Sequence, residues 1–328
     1  MPTYGAAPPP STANDRTASG RVGAAVGVLV CAALLLTACS SGTPGAGRAP
    51  GRATLAAPSP SPTPTSTTPP YGPVLARWIN ALNTALAELP PSGDLTAFDA
   101  ALEEVRTAAS SAGSNLEPAE EPPAVATAHR QVLVALDALA EHIEKVQSGI
   151  HDRSLCATSS ALATFGQAEA LTTLPAALRT LAAAGYPATL AVPQTGQLQQ
   201  RSLDNGTLVR EGGRDGEGEL TIENGGGSDA VLSLALDGRS VHSIYVGKGA
   251  TTTLKGIEDG TYTVYFAGGT DWDSGTKAFT QDCDFSRFDD TMAFETGRTY
   301  TTWTLTLQAT AGGNATTSDV PEGSYPLP

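Results

Sequence analysis

Cations are scarce in this 328-residue chain: four lysines and fifteen arginines stand against 33 carboxylates, for a formal charge of -14. Without a clustered basic face there is nothing to track a phosphate backbone, which argues against nucleic acid as a partner. Catalytic signatures are missing too. There is no Gly-x-Ser-x-Gly turn, no Ser-x-x-Lys set beside partner motifs, no His-Glu-x-x-His pair and no Gly-x-x-x-x-Gly-Lys loop, so neither a nucleophile elbow, a zinc pair nor a phosphate cradle is offered. The glycine-rich run 212–218, with Arg214 and Asp215, lies between expected strands and reads as a turn. A glycosidase pair would be lost among the many acids. The reading is a non-enzymatic protein with no catalytic residues, cofactor or metal.

Long apolar runs are also lacking, with one exception. Val22 to Thr37 is broken by Gly23 and Gly27 and falls short of the roughly 20 residues that a bilayer-crossing helix needs. Arg16 and Arg21 flank it, and it closes on Leu36-Thr37-Ala38-Cys39. A positive flank, a short apolar core and a small-residue exit make a signal peptide; an uncleaved anchor helix would not require a cysteine there. The exit resembles the lipobox of exported bacterial lipoproteins, which implies that residues 1–38 are removed and Cys39 is diacylated. Two acyl chains, at about 0.8 kcal/mol per buried methylene, hold a protein on a membrane where one does not. The expected location is the extracytoplasmic face of the cell membrane, with the lipid as anchor. The mature chain keeps 17 basic and 32 acidic side chains, a net charge of -15.

Residues 39–72 are mostly Pro, Ser, Thr and Gly, including the alternation Pro58 to Pro64. They bury too little apolar surface to offset ordering entropy and read as a disordered tether. Residues 73–192 read as a helical bundle. Leu75, Trp78, Ile79, Leu82, Leu86 and Leu89 recur at helical spacing until Pro90-Pro91; Asp94 caps a second stretch carrying Leu95, Phe98, Leu102 and Val105; a third follows Pro122-Pro123 with Val132, Leu136, Leu139 and Ile143. A fourth runs from about Ser154 through Leu171, and Pro175 opens a last turn-rich piece ending near Gly185. His129 lies on the apolar stripe of the third helix, His142 on its polar flank and His151 in the connection beyond. Their spacing does not suit a metal, and they read as structural.

After Pro193 leucine stripes give way to glycine turns and alternating β-branched residues, so 193–328 reads as a β-sandwich with a flexible C-terminal tail. Asp204-Asn205-Gly206 is a tight-turn signal. Strands are expected at Glu219–Glu223, Ala230–Leu236, Ser240–Val246, Thr251–Leu254, Thr261–Phe266, Met292–Glu295 and Tyr300–Leu307. Tyr262, Val264 and Phe266 share one face, as do Trp303, Leu305 and Leu307. The fold class is thus α+β and multidomain, a helical bundle followed by an antiparallel β-sandwich.

Gly218 to Gly225, Asp229-Ala230-Val231, Ile257 to Tyr262, Gly269 to Asp273 and Gly313 to Thr316 together resemble the C-terminal module of actinobacterial surface lipoproteins, a family of unknown function with an N-terminal helical region. The stretch Val246 to Phe266 is also similar to small sandwich modules appended to carboxypeptidases and surface adhesins. The resemblance covers about a third of the chain and implies a fold and a location more than an activity.

Two further features bear on function. The stretch 268–290 reads as a loop that concentrates Asp271, Trp272, Asp273, Asp282, Asp284, Phe285, Phe288, Asp289 and Asp290. Its carboxylates could hold calcium, or its rings and carboxylates a sugar, with Asp271, Trp272 and Asp273 as the ligand-binding group; equally, the rings pack beneath a crossover and the acids face water. Second, removing Cys31 with the signal and acylating Cys39 leaves Cys156 and Cys283, which either pair across the two regions or stay buried as thiols. The expected role is a binding or structural module at the envelope, with an envelope protein or glycan as partner; the alternative is carbohydrate- or calcium-dependent capture by 268–290.

Overall fold

The computed structural model describes residues 70–308 and 315–328, which belong to one structural unit. The expected signal peptide, Cys39 and the expected tether up to residue 69 lie outside the described residues. Five helices come first: α1 (Tyr71–Ala87), α2 (Leu95–Leu116), α3 (Ala126–His151), α4 (Thr158–Phe165) and α5 (Ala170–Ala183). α1 begins at Tyr71, two residues before the expected start of the helical region at 73, because Tyr71 is a core residue. Its ring meets His129 and Tyr186 edge-on, and its hydroxyl lies 3.0 Å from His129 Nδ1. Gly72 and Pro73 are harmless in a first turn, whose amides have no helical partner.

α2 opens on Asp94, whose carboxylate accepts the Thr96 N–H at 2.9 Å. The fourth helix departs from expectation. It breaks at Gly166, where a Cβ would lie 2.1 Å from Thr195 Oγ1, and Pro175 sits inside α5, forfeiting one backbone bond to Leu171. The inward stripes form one core: Leu75, Ile79, Phe98, Leu102, Val132, Leu136, Ile143, Phe165 and Leu174 are all 0% exposed. Truncating one of these leucines to alanine costs about 2–5 kcal/mol through lost transfer energy and the cavity left behind.

Ten strands follow among the described residues: β1 (Leu208–Arg210), β2 (Gly218–Glu223), β3 (Asp229–Leu236), β4 (Arg239–Val246), β5 (Thr251–Ile257), β6 (Gly260–Asp273), β7 (Ala278–Phe288), β8 (Met292–Phe294), β9 (Thr302–Thr306) and β10 (Thr317–Asp319). They make a seven-stranded sheet ordered β1-β4-β3-β6-β7-β10, with β8 on β6, and a three-stranded sheet ordered β5-β2-β9. All pairs are antiparallel except β2 with β9. Leu220 and Ile222 of the smaller sheet share a core with Leu232, Leu234, Ile244 and Val264 of the larger one. The opposite face of the larger sheet buries Val231, Tyr245, Trp272, Phe279 and Tyr325.

The stretch 268–290 is mostly strand rather than loop: it supplies the last six residues of β6 and all of β7. Its alternation is broken, which hides it. Phe266 faces the core between the sheets, while Trp272, six residues along the same strand, faces the other side. Asp271 and Asp282 take left-handed φ of 59° and 53°, a region that aspartate tolerates better than most residues. β7 also carries an extra residue, since Gly268 pairs with Asp284 but Thr270 with Gln281.

Residues 153–156 run against this irregular part of β7. Cys283 N–H donates to Arg153 O at 3.0 Å, Asp282 N–H to Ser154 O at 3.2 Å, and Cys156 N–H to Thr280 O at 2.9 Å. Ser160 Oγ donates to the same Thr280 carbonyl at 2.7 Å. Cys156 and Cys283, 127 residues apart in sequence and 6.2 Å between Cα atoms, form a disulfide here.

Two buried imidazoles make the fold sensitive to acid. His242 on β4 is 1% exposed; its Nδ1 accepts the Gly212 N–H at 3.3 Å and its Nε2 has no partner among the described residues. Burial holds both His129 and His242 below the ordinary value of 6.5, so the unfolded chain binds protons that the folded one refuses. Their contribution to stability is complete above about pH 6.5, declines as pH falls towards the folded-state values, and then levels off. Urea midpoints are expected to be lower at about pH 5.5 than at about pH 7.5, with a smaller gap in His242→Gln. An equal gap in the variant would reject the assignment of His242.

Candidate functional site

The sequence singles out Asp271, Trp272 and Asp273, and the structure places them at the end of β6, where the connection from the helices arrives. That connection, residues 184–207, is fastened along its length. Asn83 of α1 donates to Thr189 O and accepts the Ala191 N–H, both at 2.8 Å, while Leu190 joins the helical core. Further on, Gln281 Nε2 donates to Gln199 O and Trp272 N–H to Arg201 O, each at 2.9 Å.

Arg201 organises the carboxylates at this corner. Its Nε and Nη2 donate to the two oxygens of Asp271 at 2.8 and 2.7 Å, its backbone N–H adds a third bond at 2.8 Å, and its Nη1 reaches Asp273 Oδ2 at 2.9 Å. Thr280 Oγ1 donates to Asp271 Oδ2 at 2.6 Å. The Asp271 side chain is 3% exposed and accepts four bonds in all. Burial raises its pKa, but the bonds from Arg201 and Thr280 outweigh this and hold it at about 2. Asp273 is likewise below its usual value: burial raises it, and the N–H groups of Thr276 and Gly275 together with Arg201 lower it further. The arrangement is a fork-to-fork ion pair with its acceptors filled from within the chain.

Trp272 is 3% exposed, packed edge-on against Phe279 and Tyr245 with ring centroids 5.1 and 6.1 Å away. Asp282, Asp284 and Phe285 lie further along β7, Phe288 ends it in the core between the sheets, and Asp289 and Asp290 come directly after it. Strand geometry strings these carboxylates out. Among the described residues no three of His, Cys, Asp and Glu converge as a metal site. The histidines are dispersed as well: His129 bonds Tyr71, His142 Nε2 lies 2.9 Å from Thr164 O, and His151, which ends α3 instead of lying beyond it, is 3.1 Å from Asp99 Oδ2.

Arg201 and Thr280 are the residues that sequence reasoning misses. Arg201 stands 70 positions from Asp271 in a polar connection with no periodicity, and its only signal is that it is a cation in a chain short of them. No family model, curated protein or solved structure matches this chain.

Removing the guanidinium leaves a buried carboxylate with only Thr280 and one backbone N–H. Arg201→Met is expected to cost about 2–3 kcal/mol, at the low end for a broken buried pair because Arg201 is 42% exposed and water partly replaces it. Arg201→Lys should recover only part of this, since an ammonium cannot fork. Urea unfolding measures both; a loss below about 0.5 kcal/mol in the methionine variant would show that the pair does not hold the connection.

Proposed function

We propose that this chain is a lipid-anchored protein of the outer face of the cell membrane, acting by contact rather than turnover. In this reading Cys39 carries the lipid, residues 39–69 form the tether, and a helical bundle and a β-sandwich are displayed as one binding or structural module towards an envelope protein or glycan. The disulfide between Cys156 and Cys283 carries the reading. Such bonds persist in oxidising compartments and are rare where glutathione keeps thiols reduced, which agrees with an export signal ending at Cys39. Further support comes from the engagement of Asp271, Asp273, Arg201 and His129 with partners inside the fold, as befits supporting groups.

Fractionation of cells making the full chain tests this. The protein is expected in the membrane fraction, with Cys156 and Cys283 alkylated only after reduction, and Cys39→Ser should move it to the soluble extracytoplasmic fraction. Recovery from the cytosol with Cys39 unmodified and both other thiols free would overturn the reading.

A further inference from the structure

The tryptophan that the fold leaves open is not the one the sequence singles out. Trp303 on β9 is 41% exposed, against 3% for Trp272. It borders a cleft of about 440 Å³ between β9 and the residues of β7, β8 and β10 nearest to it, within the span of about 300–1,000 Å³ usual for small-molecule sites.

Three properties of the cleft narrow what it suits. Its floor is apolar: Phe288, Met292 and Leu305 line it and also belong to the core between the sheets. Its aromatic wall is oriented, because the Trp303 indole N–H donates to Ala293 O at 3.0 Å; with that polar atom engaged, the open part of the ring presents carbon. Its rim is polar and uncommitted. Thr306 donates to Glu223 at 3.2 Å, but the side chains of Asp290, Thr304, Gln308 and Thr317 make no hydrogen bond among the described residues. Consecutive residues from Trp303 to Gln308 line the cleft, so the strand borders it with its edge. The order β5-β2-β9 leaves that edge unpaired among the described residues, which adds backbone N–H and C=O groups to the rim.

A ligand matching this set needs an apolar face for the indole and several hydroxyls that both donate and accept. Donors suit the Asp290 carboxylate, and acceptors suit the Gln308 amide and the threonines. A negative charge is disfavoured by Asp290 and by the chain's net -14. We propose that this cleft binds a neutral pyranoside, its C–H face against Trp303 and its hydroxyls on Asp290, Thr304 and Gln308. The pairing of ring and carboxylate looked for at Trp272 and Asp271 is thereby relocated to Trp303 and Asp290. The site stands independently of where the chain is anchored.

The full chain in a non-glycosidic detergent is titrated with cellobiose, maltose and diacetylchitobiose, followed by tryptophan fluorescence and by saturation transfer to sugar protons. At least one disaccharide is expected to saturate with a Kd of about 1 mM or below. Trp303→Ala should weaken it about tenfold or more, Trp303→Phe should retain most of it, and Asp290→Ala should weaken it several-fold, with near-UV circular dichroism confirming the fold of each. If Trp303→Ala does not fold, Asp290→Ala and Trp303→Phe decide. No saturation by any of the three sugars up to about 50 mM, or binding indifferent to both Trp303 and Asp290 in folded variants, would overturn the proposal. Neither result bears on membrane fractionation.

Discussion

The bond between Cys156 and Cys283 is the constraint on which the rest of the described molecule turns. It sits where residues 153–156 run along β7, so the covalent link and three backbone hydrogen bonds hold the same few ångströms of contact between helices and sheet. In the chain-entropy account, closing a loop of 127 residues disfavours the unfolded state by about 5 kcal/mol. Arg201 completes the junction from the other direction by fixing the connection to the end of β6. The buried carboxylate of Asp271 is tolerable because four donors converge on it; a charge taken out of water with fewer would favour opening the very corner it secures.

The regular elements were legible where side-chain period and backbone period agree. Leu95, Phe98, Leu102 and Val105 sit on one face of α2, and Tyr262, Val264 and Phe266 on one face of β6, as their spacing predicts. Legibility failed where local geometry breaks the period. β7 and the second half of β6 read as loop because Asp271 and Asp282 take left-handed backbone and an extra residue shifts the register. Aspartates and glycines are what such positions require, and they are also what loops contain. Pro175 misled in a similar way: it reads as opening a turn-rich piece, yet here it is carried within α5 at the loss of one bond.

The residues of chemical interest were legible as a list but not as an arrangement. Asp271, Trp272 and Asp273 do lie together, yet what they do is decided by Arg201 and Thr280, and no spacing rule connects residue 201 to 271. The two tryptophans make the same point. Trp272 lies among acids in the sequence and is buried; Trp303 lies among threonines, reads as a core-facing strand residue, and keeps an open flank because β9 is an edge strand among the described residues. Whether a ring is covered depends on which strand becomes the neighbour, and that is settled by pairings such as the parallel one between β2 and β9, made across about eighty residues.

The cross-link also decides how the chain would respond to being pulled. A force applied between its two ends travels from residue 156 to residue 283 through sulfur, so the stretch enclosed by the bond, 127 residues apart at its ends, carries no load. Fully extended, that stretch would span about 430 Å. A molecule built this way stays short under tension: α1 to α3 and the last strands bear the strain, while most of both sheets is mechanically bypassed.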